Sequence, residues 1–193
     1  MTLPDEARPY DRRPPDRAAV DRRDIAAVAV QLKRPPRGMV AVASRCSCGW
    51  PLVVRTTPRL PDGTPFPTLY YLTCPRLGGA VSTLETQGMM RVLDAELTAD
   101  PDLAAAYRRA HEAYLLDRDG EVGDRDGGVG HRGVSAGGMP DRVKCLHVLV
   151  AHSLAVGRGV NPLGDRVVDA LAAAGIPRET EPTCSVRLQL GPL

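Results

Sequence analysis

The stretch that most constrains the fold runs from Met39 to Thr73. Three short runs rich in β-branched or aromatic residues lie within it, Met39 to Arg45, Leu52 to Thr57 and Thr68 to Thr73. The first gap is built around Cys46-Ser47-Cys48-Gly49. The second is a proline-rich loop carrying Asp62-Gly63. Parallel neighbours need a crossover of roughly a dozen residues or more, usually a helix, and neither gap offers one. The runs therefore predict a three-stranded antiparallel meander.

Helical patterns flank these strands. Asp21 or Asp24 can cap a helix in which Ile25, Val28 and Leu32 share a face, and Pro35-Pro36 ends it. Ser82 and Glu85 have capping-box spacing ahead of Met89, Val92, Leu93 and Leu97, with Gly88 a weak point inside. Asp100-Pro101 reads as N-cap and first residue of a helix striped by Leu103, Tyr107, Ala110 and Tyr114. Residues 117–139, dense in Gly, Asp and Arg, predict a flexible loop. Helical character returns from Pro140 or Asp141 to Val156, where Gly157 stops it, and Asn161-Pro162 starts a last helix through Ala174. Val186, Leu188 and Leu190 alternate as a candidate edge strand. The expected fold class is α+β, a small antiparallel three-stranded sheet packed with about five helices. Residues 1–17, proline-punctuated and charged, predict a disordered tail; 18–176 a single domain; and 177–193 a C-terminal tail.

Composition narrows the functional classes. A chain of 193 residues supports one well-buried core. Its formal net charge of +2 supplies no long-range field for nucleic acid, and seven aromatic side chains offer few stacking platforms, so nucleic-acid binding is disfavoured. No apolar run approaches the roughly 20 residues of a spanning helix, and the N-terminus lacks a signal-peptide core, so a cytoplasmic protein with no membrane partner is expected. Five cysteines, an odd number, then point to free thiols or metal ligands rather than a disulfide framework.

Cys46-Ser47-Cys48-Gly49 sits in a turn that could aim sulfur and backbone N–H groups at one point, although C-x-C is not the C-x-x-C of zinc knuckles. Cys74 closes the third strand, and whether it approaches Cys46 depends on register. Lys144-Cys145-Leu146-His147 and Ala151-His152 suggest a ligand helix. In a regular helix, however, Cys145 and His152 stand about 10.5 Å apart along the axis, and His147 points about 200° away from Cys145. Three ligands could come from this segment only if the helix starts late, with Cys145 and His147 in an irregular first turn. Otherwise His152 is a packed, hydrogen-bonded histidine and His147 a solvated one. Arg45, Arg55 and Arg59 flank the strand ends and could line an anion pocket, or be ordinary surface arginines. Gly127-Gly128-Val129-Gly130 lacks the preceding strand and the Gly-Lys-Ser/Thr ending of a P-loop.

The string Pro65-Phe66-Pro67-Thr68-Leu69-Tyr70-Tyr71-Leu72-Thr73-Cys74-Pro75 occurs together with Arg45-Cys46, Val143-Lys144-Cys145-Leu146-His147, Ala151-His152 and Asn161-Pro162-x-Gly164. In this combination the chain resembles the bacterial family of domain of unknown function 501, from about Ile25 to Leu171. The resemblance implies kinship without an activity. The family's first motif, Cys-Pro-x-Gly, falls on Cys46, with Ser47 in place of the proline and Cys48 at the variable position, which makes Cys48 a poor shared ligand.

Two functional readings follow. One is a small metal or thiol site drawn from Cys46, Cys74, Cys145 and His152, for which zinc or iron is the expected cofactor. The other is a non-enzymatic module binding a protein or anionic ligand through Arg45, Arg55, Arg59 and the proline-rich loop. No catalytic residue and no particular partner is singled out.

Overall fold

The computed structural model describes residues 20–46, 49–122, 140–143, 145–174 and 176. Strands β1 (Met39–Arg45), β2 (Pro51–Thr56) and β3 (Tyr70–Leu72) form an antiparallel sheet in the order β1-β2-β3, the meander that the short connections require. Val42 pairs with Val54, which pairs in turn with Tyr71. The β1–β2 ladder shifts register at three places, and such bulges increase local twist. Every residue of β2 is buried, as befits a central strand. Gly38, at φ 64°, enters β1 where a Cβ would meet Thr57 Cγ2 at 2.8 Å, so a side chain there is blocked by both backbone and neighbour.

Helix α1 (Arg22–Leu32) is capped by Asp21, whose carboxylate accepts from Arg23 N at 3.0 Å. It ends on Lys33 in the left-handed region, just ahead of Pro35-Pro36. Gln31 Nε2 ties it to the sheet by donating to Pro51 O at 2.7 Å.

The remaining helices are α2 (Pro75–Thr86), α3 (Met89–Ala99), α4 (Pro101–Val122), α5 (Leu146–Val156) and α6 (Pro162–Ala173). Six helices among the described residues exceed the expected five because the pattern after β3 is two helices. Gly88, at φ 88°, ends one and opens the other. Ser82 is not an N-cap; it lies inside α2, and its hydroxyl donates back to Gly78 O at 3.1 Å. Helix α4 continues to Val122, into the segment expected to be a loop. Tertiary bonds hold its later turns: Tyr70 Oη donates to Asp117 Oδ2 at 3.0 Å, and Arg55 Nη2 donates to Asp117 O at 2.9 Å. Helix α5 starts late, at Leu146 rather than near Pro140. The N-terminal tail, residues 123–139 and the candidate edge strand at Val186, Leu188 and Leu190 lie outside the described residues.

Helix α5 is the element around which the domain is assembled. Its first half joins a cluster with Val81 of α2, Leu93 of α3, Leu103 and Tyr107 of α4, and Leu163 and Val167 of α6. Its second half joins a cluster over the sheet with Val53, Leu69 and Tyr70, and with Tyr114 of α4. Being apolar nearly all round, it carries the signature of a core helix rather than a surface one. Gly164 lets α6 cross α5 closely; a Cβ there would press on the Leu149 carbonyl and on Ser153 Cβ at 2.9 Å.

Candidate metal centre

The late start of α5 sets the geometry of the site. Cys145 is the N-cap of α5, in extended conformation at φ −159° and ψ 119°, and its side chain makes no capping bond. The orphan N–H of Leu146 is satisfied instead from another helix: Glu85 Oε1, near the end of α2, accepts it at 2.8 Å. The same oxygen lies 3.3 Å from His147 Nδ1. On the other side of the ring, His147 Nε2 lies 3.2 Å from Gly78 O and 3.4 Å from Ser82 Oγ. All three side chains, Glu85, Cys145 and His147, are half-buried, and one donor atom from each lies within 4.8 Å of the other two.

A neutral imidazole has one N–H and one lone pair. With the proton on Nδ1, the ring donates to Glu85, and its Nε2 lone pair gains a donor only if the Ser82 hydroxyl turns to it from the Gly78 carbonyl. With the proton on Nε2, it donates to the Gly78 carbonyl, and the Nδ1 lone pair is turned toward Glu85 Oε1. Either nitrogen of a neutral histidine can bind a metal, and the second tautomer leaves Nδ1 able to do so while the far N–H is held by a backbone carbonyl. Around a tetrahedral zinc ion, donors at bond lengths of 2.0 to 2.3 Å stand about 3.3 to 3.8 Å apart. The three donors here need to close by at most about 1.5 Å to reach that geometry.

The four expected ligands do not gather in one place. Cys145 joins Glu85 and His147. His152, farther along α5, is buried on a different face, stacked on Tyr70 with ring centroids 5.8 Å apart and met edge-on by Tyr114 at 5.3 Å. Cys74 is a free thiol at the N-cap of α2, packed with Leu52 and Leu69. Cys46 packs against the same cluster and against Trp50 and Ala27, and it is disulfide-bonded. A disulfide sulfur is not a thiolate, and the thiolate is the metal-binding form, so Cys46 is unsuited to the expected role in this state. Its bond also departs from the expectation that the cysteines are free thiols or ligands.

The three arginines are likewise dispersed. Arg45 makes a two-pronged pair with the buried carboxylate of Asp24, at 2.7 and 2.6 Å, and also donates to Gly49 O at 2.9 Å. Asp24 holds the Arg45 guanidinium above its ordinary pKa, chiefly through that hydrogen bond. Arg55 is buried, bonded to the Asp117 carbonyl and placed over the Tyr70 ring at 5.9 Å. Arg59 donates to Gly63 O at 3.3 Å, closing its own loop.

Glu85 was not among the candidate ligands, and His147 was one only for a late-starting helix. Glu85 looked like the partner of Ser82 in a local capping box, and the helix it caps begins 61 residues later. His147 looked solvated because helical spacing was carried through Cys145; the extended backbone at that residue is what brings the two side chains together.

The fold and cluster define a small α+β domain in which α2 and the N-terminus of α5 present one oxygen, one sulfur and one nitrogen donor together. The chain belongs to the family described as Protein of unknown function (DUF501), whose model matches residues 42–169 and so runs from within β1 through most of α6 and includes the whole cluster. No curated protein and no solved structure matches it. No helix among the described residues is long and apolar enough to cross a membrane.

Proposed function

We propose that the protein binds a single divalent transition-metal ion, of the zinc or ferrous type, through Glu85, Cys145 and His147. The observation that carries this reading is the convergence of three chemically different donors within 4.8 Å, delivered by two helices far apart in sequence. A thiolate and an imidazole suit a borderline cation, whereas calcium and magnesium prefer oxygen-only shells. Three protein ligands leave a fourth tetrahedral position for water or a substrate atom, the arrangement of reactive rather than purely structural zinc sites. In this arrangement Nδ1 of His147 ligates while its Nε2–H donates to Gly78 O, and Glu85 contributes one oxygen to the metal while continuing to cap Leu146.

Cobalt(II) titration of the metal-free protein tests this. The expected result is saturable visible absorption of a low-coordinate site, with a sulfur-to-cobalt charge-transfer band that Cys145→Ser abolishes. A titration with no thiolate band, or one unchanged by that substitution, refutes it.

A further inference from the structure

His152 presents a second feature, independent of the Glu85–Cys145–His147 cluster. Asn161 is the N-cap of α6, and its Oδ1 accepts from Gly164 N at 3.0 Å. That bond fixes the amide, so Asn161 Nδ2 is the atom facing His152 Nδ1, at 3.2 Å. An amide N–H donates, so Nδ1 accepts, and the ring proton of a neutral His152 must sit on Nε2. Burial keeps the ring neutral, pushing its pKa down to about 4 against a smaller opposing pull from Asp165. The Nε2–H has no acceptor among the described residues, although His152 is only 3% exposed. The ring cannot swing out to find one, because Tyr70 stacks on its face and Tyr114 abuts it. An orphan donor at such depth is destabilising, because it has lost its water without gaining an acceptor.

His152 also forms part of the wall of a cavity of about 20 Å3 between α4 and α5. The other polar lining residues are Tyr107, His111 and Tyr114 of α4 and Asn161 ahead of α6. One water needs about 10 to 15 Å3 measured this way, and two to four polar neighbours. The volume therefore admits a water-sized molecule. Both phenols stay protonated at neutral pH, since burial pushes Tyr107 and Tyr114 up to about 12. Among the described residues the site thus has no strong anionic acceptor in its lining.

We infer that the α4–α5 cavity is a binding site for one water-sized oxygen acceptor, water itself in the resting protein, held by the Nε2–H of His152. The bound molecule completes the hydrogen bonding of the buried ring and joins α4 to α5 through a polar contact that their apolar side chains do not provide.

Long-range proton–nitrogen spectra of protein labelled with 15N-histidine test the tautomer and the ligand together. The expected result is a His152 ring protonated at Nε2 at pH 7, with its Hε2 resonance cross-relaxing with a long-lived water. An Nδ1-protonated ring overturns the inference, as does an Hε2 signal with no water contact.

Discussion

His147 and His152 stand on the same short helix, yet their surroundings share almost nothing. His147 occupies the first turn of α5, half-buried, with protein acceptors or donors beside both ring nitrogens. His152 lies five residues on, buried between two tyrosine rings, with Nδ1 held by Asn161 and Nε2 without a partner among the described residues. Burial depth and backbone conformation, rather than residue type, separate the two. At the helix start an extended N-cap lets Cys145 and His147 meet a carboxylate from α2. Farther along, regular helix geometry allows each face one neighbour set, and the ring becomes part of the core. A histidine pinned in the core can hold a neutral hydrogen-bonding partner; one in the half-open first turn of a helix has room to trade partners.

Acid exposes the contrast most strongly. The pKa of His152 falls from its ordinary 6.5 to about 4 in the folded protein. Above pH 6.5 neither the folded nor the unfolded chain protonates it, and the full stability is present. Between pH 6.5 and 4 the unfolded chain takes up a proton that the folded one refuses, so stability falls as pH falls. The loss from this one group is on the order of 3 kcal/mol. Urea unfolding followed from pH 7 to pH 4 should show that slope, and His152→Phe should flatten it. An unchanged slope in the variant would remove His152 as its source.

Removing a ligand from the other site should act on metal affinity. Cys145→Ser and His147→Gln should each weaken binding by at least about 100-fold, since even outer partners of a metal site cost 10- to 100-fold. Competition against a colour-changing chelator reads this directly, and a change of less than threefold in both variants would contradict the assignment.

The packing of α5 against α6 gives a smaller effect. Gly164→Ala places a methyl group against the Leu149 carbonyl and Ser153, and overpacking of this kind costs about 1 to 3 kcal/mol. Denaturant midpoints should fall with the metal-free protein as much as with the loaded one, because the atoms that the methyl group meets belong to Leu149 and Ser153 and to none of the three ligands. Glu85→Gln should have the smallest influence on folding, within about 1 kcal/mol, since an amide oxygen can still accept from Leu146 N while only charge is lost. Its metal affinity should nevertheless drop clearly, separating the capping role of Glu85 from its ligand role.

The same distinction explains what could be read from the sequence. Short connections dictated the antiparallel sheet, and Asn161-Pro162 and Asp100-Pro101 marked helix starts because capping is local. Cys74-Pro75 carried a comparable signal, hidden by Gly78-Gly79, two residues that lower helix propensity. The bulged β1–β2 register was not legible, because it depends on the pairing of two strands rather than on either alone. Glu85 could not be matched to Leu146 for the same reason. The expected set of Cys46, Cys74, Cys145 and His152 was chosen by residue type, and only Cys145 of the four belongs to the cluster that converges. Its true neighbours were set by where α5 begins, and that start is fixed by a carboxylate from α2.

The most direct test of the metal assignment is the metal content of the full chain, expressed in medium supplemented with zinc and iron and purified without chelators. Elemental analysis should find close to one zinc or iron atom per chain in the unaltered protein and a near-complete loss in the folded Cys145→Ser variant. Protein that carries no transition metal and takes none up on dialysis against zinc, or a Cys145→Ser variant that retains the full complement, would contradict a metal centre at Glu85, Cys145 and His147.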